Sequence, residues 1–173
     1  MDHVTLLAED GTAIGTRPKS EVHTRDTALH LAFSCHVFDS RGRVLVTRRA
    51  LGKRTWPGVW TNSFCGHPRP DEQMTAAVHR HGLGELGLHI TDLRVVLPDY
   101  RYRAVDASGI VENEICPVHV AVVDGDPLAD SDEVAEWTWV EVDDLIDAAA
   151  RAPFAFSPWM VEQLPLLRAI GEI

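Results

Sequence analysis

Residues 56–68 read Trp-Pro-Gly-Val-Trp-Thr-Asn-Ser-Phe-Cys-Gly-His-Pro, and the rest of the chain is organised around them. Two Trp, two Pro and two Gly within thirteen residues are more turn-forming chemistry than a core strand carries. Cys65 and His67 are separated by one residue, so in an extended segment both side chains leave the same face. The stretch therefore predicts a nucleophile or proton carrier beside a potential metal ligand. The alternative is a tight surface loop with a buried cysteine.

The same stretch continues into a regularly spaced pattern, Gly66-x5-Glu72-x7-Arg80-x4-Glu85-x-Gly87-Leu88. This pattern resembles the sequence box of the Nudix family, with His81 and Gly84 standing where two further acids are usual. The resemblance implies a Nudix-like α/β (α+β) fold, in which a mixed sheet is sandwiched between helices. We expect residues 1–173 to form a single domain, since this length suits one sizeable core.

Composition indicates a reduced, cytoplasmic protein. The chain has no run of about 18 apolar residues, so we expect no membrane span. Its N-terminus lacks a basic region followed by an apolar one, so we expect no secretory signal. Its three cysteines, Cys35, Cys65 and Cys116, cannot all pair and show no CxxC spacing.

Charge is unevenly distributed. The net charge of −10 argues against nucleic acid as a general partner. Yet residues 40–70, here called the cationic stretch, contain no Asp or Glu and seven of the sixteen Lys and Arg: Arg41, Arg43, Arg48, Arg49, Lys53, Arg54 and Arg69. This stretch predicts a small anionic ligand such as phosphate or diphosphate. The alternative is a charged hairpin in solvent.

The spacing of apolar and turn residues predicts the order of elements. Strands are expected over residues 4–8, 12–16, 29–38, 43–49 and 136–142, with a polar loop over 17–27. Residues 93–105 and 110–123 should form a hairpin with long arms. Helices are expected over 71–86, begun by Asp71 and ended by Gly87, and over 143–150. A last helix should begin at Ser157-Pro158 and be broken or kinked at Pro165.

Three acidic residues are predicted to face inward. Glu85 follows Met74, Ala77, Val78 and His81 at helical spacing, so it continues the apolar stripe of its helix. Glu112 and Glu114 share one face of a strand among apolar neighbours, where two carboxylates would repel each other unless a cation lay between them. The alternatives are a helix-end carboxylate in water and a solvent-facing edge strand.

The residue types that bind metals form a mixed set: His23, His30, His67, Glu112 and Glu114. Imidazole and carboxylate ligands together suit Zn, Mn or Fe in five- or six-fold coordination. These residues come from separate segments, so their spacing alone does not establish a site.

Four motifs strengthen the set. HTRDTALHLAF (23–33), TNSFCGHP (61–68), ENEICPV (112–118) and FSPWM (156–160) occur in this order. Together they resemble the type I isopentenyl-diphosphate isomerases over about residues 21–160. The resemblance implies conversion of isopentenyl diphosphate to dimethylallyl diphosphate in isoprenoid biosynthesis. A proton would be added and another removed on opposite faces of the substrate.

The resemblance also implies a role for each matching residue. Cys65 and Glu114 would transfer protons, Tyr102 would support the glutamate, and Trp159 would lie over the reacting carbons. One divalent ion, Mn²⁺, Zn²⁺ or Mg²⁺, would be bound by His23, His30, His67, Glu112 and Glu114. Lys19, Arg49 and Lys53 would hold the diphosphate, and Glu85 would help to place a second ion, Mg²⁺, bridged to it.

One position departs from the family. His81 stands where relatives carry Arg in the diphosphate pocket, so a diphosphate contact there would depend on pH. Two other functions stay open: a Nudix hydrolase using Glu72, Arg80 and Glu85, and a domain with a purely structural metal. We expect a prenyl diphosphate as the small-molecule partner, no nucleic acid or membrane, and a monomer or weak homodimer.

Overall fold

A computed structural model describes residues 2–173. Its strands are β1 (His3–Leu7), β2 (Ala13–Pro18), β3 (His30–Leu31), β4 (Phe33–Phe38), β5 (Val44–Arg49), β6 (Trp60–Thr61), β7 (Phe64–Gly66), β8 (Thr91–Leu97), β9 (Arg101–Val105), β10 (Val111–Ile115), β11 (Val118–Val122) and β12 (Val134–Val140). Its helices are α1 (Lys19–Val22), α2 (Met74–Leu86), α3 (Val142–Arg151) and α4 (Pro158–Ala169), and Pro153–Ala155 form one 3₁₀ turn. No helix among these described residues is both long and apolar enough to cross a membrane.

The strands form two mixed sheets. The larger sheet has the order β12-β5-β4-β11-β8, with β6 paired to β5 and β7 paired to β4. The smaller sheet has the order β2-β1-β3-β10-β9. Each contains one parallel pair, β4 with β11 and β3 with β10, while its other pairs are antiparallel.

Helices cover both faces of the larger sheet. Along β4, Phe33, Cys35 and Val37 pack in the core cluster that contains Ala77 and Val78 of α2. The opposite face packs against α3 and α4 through a second cluster of buried residues, including Val44, Val46, Leu145, Met160 and Leu164. Strands buried on both faces read as apolar runs rather than as alternating patterns. The predicted sheet sandwiched between helices is confirmed.

Three predicted long strands are divided between the sheets. The strand expected over 29–38 splits at Ala32 into β3 and β4, and the expected hairpin arm 110–123 splits at Cys116-Pro117 into β10 and β11. Pro117 has no N–H, so it cannot donate within a ladder. The two chains nevertheless stay joined, since Ala32 N–H donates to Ile115 O (3.0 Å) and Ser34 N–H to Pro117 O (3.1 Å). The other hairpin arm, 93–105, divides likewise into β8 and β9.

The helices differ from the predictions in three places. Asp71 has φ of 63° and lies in a turn, so α2 begins at Met74 instead. The predicted C-terminal cap is confirmed, because Gly87 is left-handed at φ 64° and its N–H donates to Leu83 O. Helix α4 starts at Pro158 as predicted but does not end at Pro165, which lies on its exposed side. A short helix, α1, occupies part of the segment expected to be a loop.

Candidate active site

A cavity of about 610 Å³ is lined by residues from both sheets and from the loops between them. Its wall includes eleven of the thirteen residues that the sequence singles out: Lys19, His23, Arg49, Lys53, Cys65, His67, Glu85, Tyr102, Glu112, Glu114 and Trp159. His30 lies directly behind this wall, in contact with His67 and Glu114. His81 does not belong to this wall.

Four of the predicted metal ligands converge. One ligand atom from each of His23, His30, His67 and Glu114 lies within 4.8 Å of the others. Pairing of β3 with β10 places His30 beside Glu114 in the parallel ladder. His67 follows β7, and its Nε2 lies 3.1 Å from Glu114 Oε1 and 3.2 Å from His30 Nε2. The strand arrangement therefore brings together residues far apart in sequence.

The donor atoms at this cluster fit a divalent cation. His30 Nδ1–H donates to Ala28 O (2.9 Å), so Nε2 is the ring nitrogen that faces the cluster and would offer its lone pair to a cation. His23 Nε2 and Glu112 Oε2 are buried 2.8 Å apart, yet neither has a well-aligned hydrogen-bond partner. Buried polar atoms normally have hydrogen-bond partners, so these two atoms without partners indicate a cation bound between them. The other Glu112 oxygen accepts a bond from Thr55 Oγ1 (2.6 Å).

Charge states at the cluster are unequal. Burial opposes the charge on Glu114, but bonds from His30 and His67 outweigh it and hold the pKa of this carboxyl well below its usual value. Burial lowers the pKa of His67 to about 4. Burial also acts to lower the pKa of His30, but the neighbouring Glu114 carboxylate raises it more. Glu114 is therefore ionised at neutral pH, as a metal ligand or proton acceptor must be.

Cys65 presents a protonated thiol to the cavity. Burial raises the pKa of this thiol to about 11, although hydrogen bonds to Ser34 and Asn62 act in the opposite direction. Its sulfur lies 3.3 Å from Asn62 Oδ1, to which the S–H donates, and 3.3 Å from Ser34 Oγ. Cys65 and Glu114 thus share one cavity, with the proton of the pair on sulfur.

Aromatic side chains cover the apolar part of the cavity. Trp159 is 2 % exposed and its Nε1–H donates to Asn62 Oδ1 (2.9 Å). The ring of Tyr102 lies 5.5 Å from that of Trp159, and Tyr102 pairs with Glu114 across β9 and β10. Trp56 packs edge-on against Trp159, with ring centroids 5.4 Å apart. Asn62 and Trp56 belong to the opening stretch, but their contacts were not predicted.

Six of the seven basic side chains of the cationic stretch fall into two groups. Arg49, Lys53 and Arg54 line the cavity. The Arg49 guanidinium donates to Thr55 O through two nitrogens (3.0 and 2.8 Å) and lies over the Trp159 ring. Lys53 forms an ion pair with Glu133. Three arginines do not line the cavity and bind carboxylates instead: Arg43 with Asp39, Arg48 with Glu136, and Arg69 with Asp2, which lies on the cavity wall.

His81 does not line the cavity. Its ring is 7 % exposed, packs edge-on against Phe33 with centroids 5.4 Å apart, and lies directly beneath Gly66. Its Nδ1 lies 2.5 Å from Glu85 Oε1. Because helix α2 turns this position toward the core, His81 contacts Glu85 and is not among the residues of the cavity wall. Glu85 itself reaches the cavity.

Glu72 and Arg80, the other acid and base of the box pattern, form a structural pair. Arg80 donates to both Glu72 oxygens (2.8 and 2.6 Å) and to His67 O (3.2 Å). The guanidinium of Arg80 holds the pKa of Glu72 at about 2. Neither side chain lines the cavity. The pair ties the loop that carries His67 to helix α2.

Replacing Arg80 by Met should lower the free energy of unfolding at pH 7 by about 1–2 kcal/mol, since Glu72 loses a bidentate partner. The pKa of Glu72 is below the ordinary 4.5. The stabilisation is therefore complete above that pH and is lost as pH falls toward 2. Urea unfolding should show the two proteins differing most near pH 7 and least near pH 3. An equal difference at both pH values would contradict this role, and Arg94→Met, which breaks an exposed pair with Glu172, is the control.

Comparisons with known proteins agree with the geometry. The model of the NUDIX domain matches residues 28–160. An isopentenyl-diphosphate Delta-isomerase of Clavibacter michiganensis is 64% identical over 164 residues, covering 95% of this chain and 84% of that protein. The protein of the same name from Kocuria rhizophila is 59% identical, covering 98% and 96%.

Solved structures share the fold at low identity. A crystal structure from Deinococcus radiodurans superposes with a TM-score of 0.73 at 16% identity, covering 95% of this chain and 98% of that chain. A MutT protein from Methanosarcina mazei superposes with a TM-score of 0.65 at 17% identity, covering 84% and 96%. These likenesses concern the fold alone. The family match and the high identity of the relatives together show that the chain belongs to the Nudix family and, within it, to the isopentenyl-diphosphate Delta-isomerases.

Proposed function

We propose that the chain converts isopentenyl diphosphate into dimethylallyl diphosphate, in keeping with relatives that are named isopentenyl-diphosphate Delta-isomerase. The observation that carries the proposal is one cavity lined by a protonated thiol, Cys65, and an ionised carboxylate, Glu114. Moving the double bond by one carbon requires one proton to be added at the terminal methylene and another to be removed from the neighbouring CH₂. Two proton-transfer groups are therefore needed, and they would act on opposite faces of the substrate.

The cavity walls suit the intermediate of such a reaction. An unactivated alkene is a very weak base, so protonation develops a tertiary carbocation or a state close to it. The face of Trp159 would stabilise positive charge electrostatically. Tyr102 and Trp56 would help to exclude water, which would otherwise capture the cation. When the acid and the base are already positioned against the bound substrate, the activation barrier falls by several kcal/mol, roughly 7–11 at most.

Two ions are implied beside these residues. His23, His30, His67, Glu112 and Glu114 would hold one divalent ion, Mn²⁺, Zn²⁺ or Mg²⁺, which would fix the orientation and acidity of Glu114. Glu85 would help to hold a second ion, Mg²⁺, that arrives with the diphosphate. Lys19, Arg49 and Lys53 would bind the diphosphate itself. His81 would act on this end of the substrate only through Glu85.

The residues favour isomerisation over hydrolysis. A Nudix hydrolase collects several box acids around its metals, but Glu72 is bound to Arg80 and positions 81 and 84 carry His and Gly. Among the box residues that the structure describes, Glu85 is the acid that lines the cavity. We also propose that the protein works in the cytoplasm as a monomer or weak homodimer, within isoprenoid biosynthesis.

Product analysis tests the proposed function. The purified protein would be incubated with isopentenyl diphosphate, Mg²⁺ and Mn²⁺, and the products followed by proton and phosphorus NMR. We expect dimethylallyl diphosphate to accumulate with the diphosphate intact. Release of phosphate and a prenyl monophosphate would indicate a hydrolase. An unchanged substrate would favour a structural metal domain.

Arg49 provides a test of substrate binding. Arg49→Ala should raise KM for isopentenyl diphosphate about 10- to 100-fold, because a charge-assisted contact is worth roughly 1.5–3 kcal/mol. Arg48→Ala is the matched control, since Arg48 is the neighbouring residue on β5 but binds Glu136. Its KM should stay near the wild-type value. Equal KM values for all three proteins would remove Arg49 from the diphosphate site.

A further inference from the structure

Three buried polar side chains form a hydrogen-bonded chain behind Cys65, and the proposed chemistry leaves them without a role. His36 Nε2 lies 2.9 Å from Gln163 Oε1, and Gln163 Nε2 donates to Ser34 Oγ at 3.0 Å. Ser34 Oγ in turn lies 3.3 Å from Cys65 Sγ. Ser34, His36 and Gln163 are at most 1 % exposed. Polar groups buried to this degree make well-defined hydrogen bonds, because an unmade bond is costly there.

The donors and acceptors of this hydrogen-bonded chain all point in one direction, from His36 toward Cys65. Gln163 Oε1 is an acceptor only, so His36 Nε2 must carry the proton. Burial lowers the pKa of His36 to about 4, so its ring is neutral and has this single N–H. Gln163 Nε2 is a donor only, so Ser34 Oγ accepts. Cys116 S–H also points at Ser34 Oγ, at 3.8 Å. Of the two sulfurs near this hydroxyl, Cys65 Sγ is the nearer, at 3.3 Å, so the Ser34 hydroxyl hydrogen is directed at Cys65 Sγ.

The second contact of the sulfur is weaker. Asn62 Oδ1, which accepts the Cys65 S–H at 3.3 Å, already accepts Trp159 Nε1–H and Thr61 O–H, each at 2.9 Å. A carbonyl oxygen offers two lone pairs, so a third donor is held loosely. A hydrogen from Ser34 occupies one side of the sulfur. The proton of Cys65 is thereby confined to the side of Asn62 and the cavity.

We propose that Ser34 is a positioning residue for proton transfer by Cys65, and that Gln163 and His36 fix the direction in which its hydroxyl donates. The hydrogen-bonded chain holds the Cys65 sulfur in one orientation and keeps the thiol proton on the cavity side. The expected effect on kcat rests on the proposed function. The hydrogen bond from Ser34 to the Cys65 sulfur does not, because it exists in the protein without substrate. The two can therefore fail separately.

The test compares Ser34→Ala and Gln163→Glu with the wild type. Ser34→Ala removes the donor. Gln163→Glu replaces the amide donor with an acceptor, so the Ser34 hydroxyl should turn toward position 163 and away from the sulfur. Both variants should lower kcat at least tenfold, because the loss of one hydrogen bond of about 1.4 kcal/mol corresponds to a tenfold change in rate. KM should stay within twofold of the wild-type value. The infrared S–H stretching band of Cys65, identified by its loss in Cys65→Ala, should shift in both variants.

Ser63→Ala is the matched control. Ser63 is equally buried and lies two residues from Cys65, but its hydroxyl donates to Leu45 O and accepts from Val37 N–H. The Ser63→Ala variant, when folded, should therefore have the same kcat and the same Cys65 S–H band as the wild type. If Ser34→Ala or Gln163→Glu folds poorly, Ser34→Ala combined with Gln163→Leu and His36→Leu removes all three members of the hydrogen-bonded chain together, so His36 Nε2–H does not lose its acceptor. This variant should still lose kcat.

The outcomes separate the two ideas. A shifted S–H band and a lower kcat at constant KM support the positioning role. An unshifted band, or a kcat within threefold of wild type in a protein that needs Cys65, overturns it. If Cys65→Ala itself turns over normally, the proposed role of Cys65 fails, whereas the band shift can still report the bond from Ser34.

Discussion

Glu114→Gln is expected to lower kcat by about 10⁴-fold or more, the largest loss of any single change in the cavity. A positioned acid or base contributes about 10²–10⁴-fold, and the amide cannot exchange protons with carbon. The same change removes the negative charge that faces His30 and His67 at 3.4 and 3.1 Å. A divalent ion at the cluster would lose an anionic ligand together with the proton carrier.

Two measurements on this variant separate the effects. Steady-state kinetics give the loss in kcat, and elemental analysis of protein purified without added metal gives the ion content. We expect both to fall. Glu136→Gln, at an exposed pair with Arg48, should change neither. Retention of metal and of kcat within tenfold of wild type would mean that Glu114 is neither a ligand nor a proton carrier.

Cys65→Ser is expected to lower kcat about 10²–10⁴-fold with little change in KM. The hydroxyl keeps the size and the hydrogen-bonding positions of the thiol, but its pKa is several units higher, so it transfers protons poorly. Binding of diphosphate should persist, because Lys19, Arg49 and Lys53 are unchanged. Rapid isomerisation by this variant, within a few-fold of wild type, would exclude the thiol from proton transfer.

Cys35→Ser is the matched control for that experiment. Cys35 is fully buried in the cluster beneath α2 and does not line the cavity. The added hydroxyl should cost stability, since it is placed among apolar side chains. It should not change kcat of the folded protein. A comparable kcat loss in both cysteine variants would indicate a general packing effect instead.

Local sequence patterns predicted the parts of the site that lie within one element. Glu112 and Glu114 share a face because strand side chains alternate, and both line the cavity. Cys65 and His67 follow the same rule. Gly87 ends α2 because a left-handed residue was required there. These predictions needed only the geometry of a single strand or helix.

Contacts between distant elements could not be predicted from spacing. His30 meets Glu114 because β3 pairs in parallel with β10, and no local pattern indicates that pairing. The cationic stretch predicted an anionic ligand without indicating which of its side chains would face it, and strand alternation turns Arg48 to Glu136 and Arg49 to the cavity. Likewise, Gln163 reaches Ser34 only through the packing of α4 on the larger sheet. The family resemblance supplied the assembly that spacing alone does not.

The most direct test of proton transfer to carbon is turnover of isopentenyl diphosphate in D₂O, followed by proton and deuterium NMR of the prenyl chain. If Cys65 and Glu114 exchange protons with the substrate, deuterium should appear in the methyl group formed from the terminal methylene, with the diphosphate intact. Glu114→Gln and Cys65→Ser should lose this incorporation in step with kcat. Turnover that leaves every carbon unlabelled, or that releases phosphate instead, would contradict it.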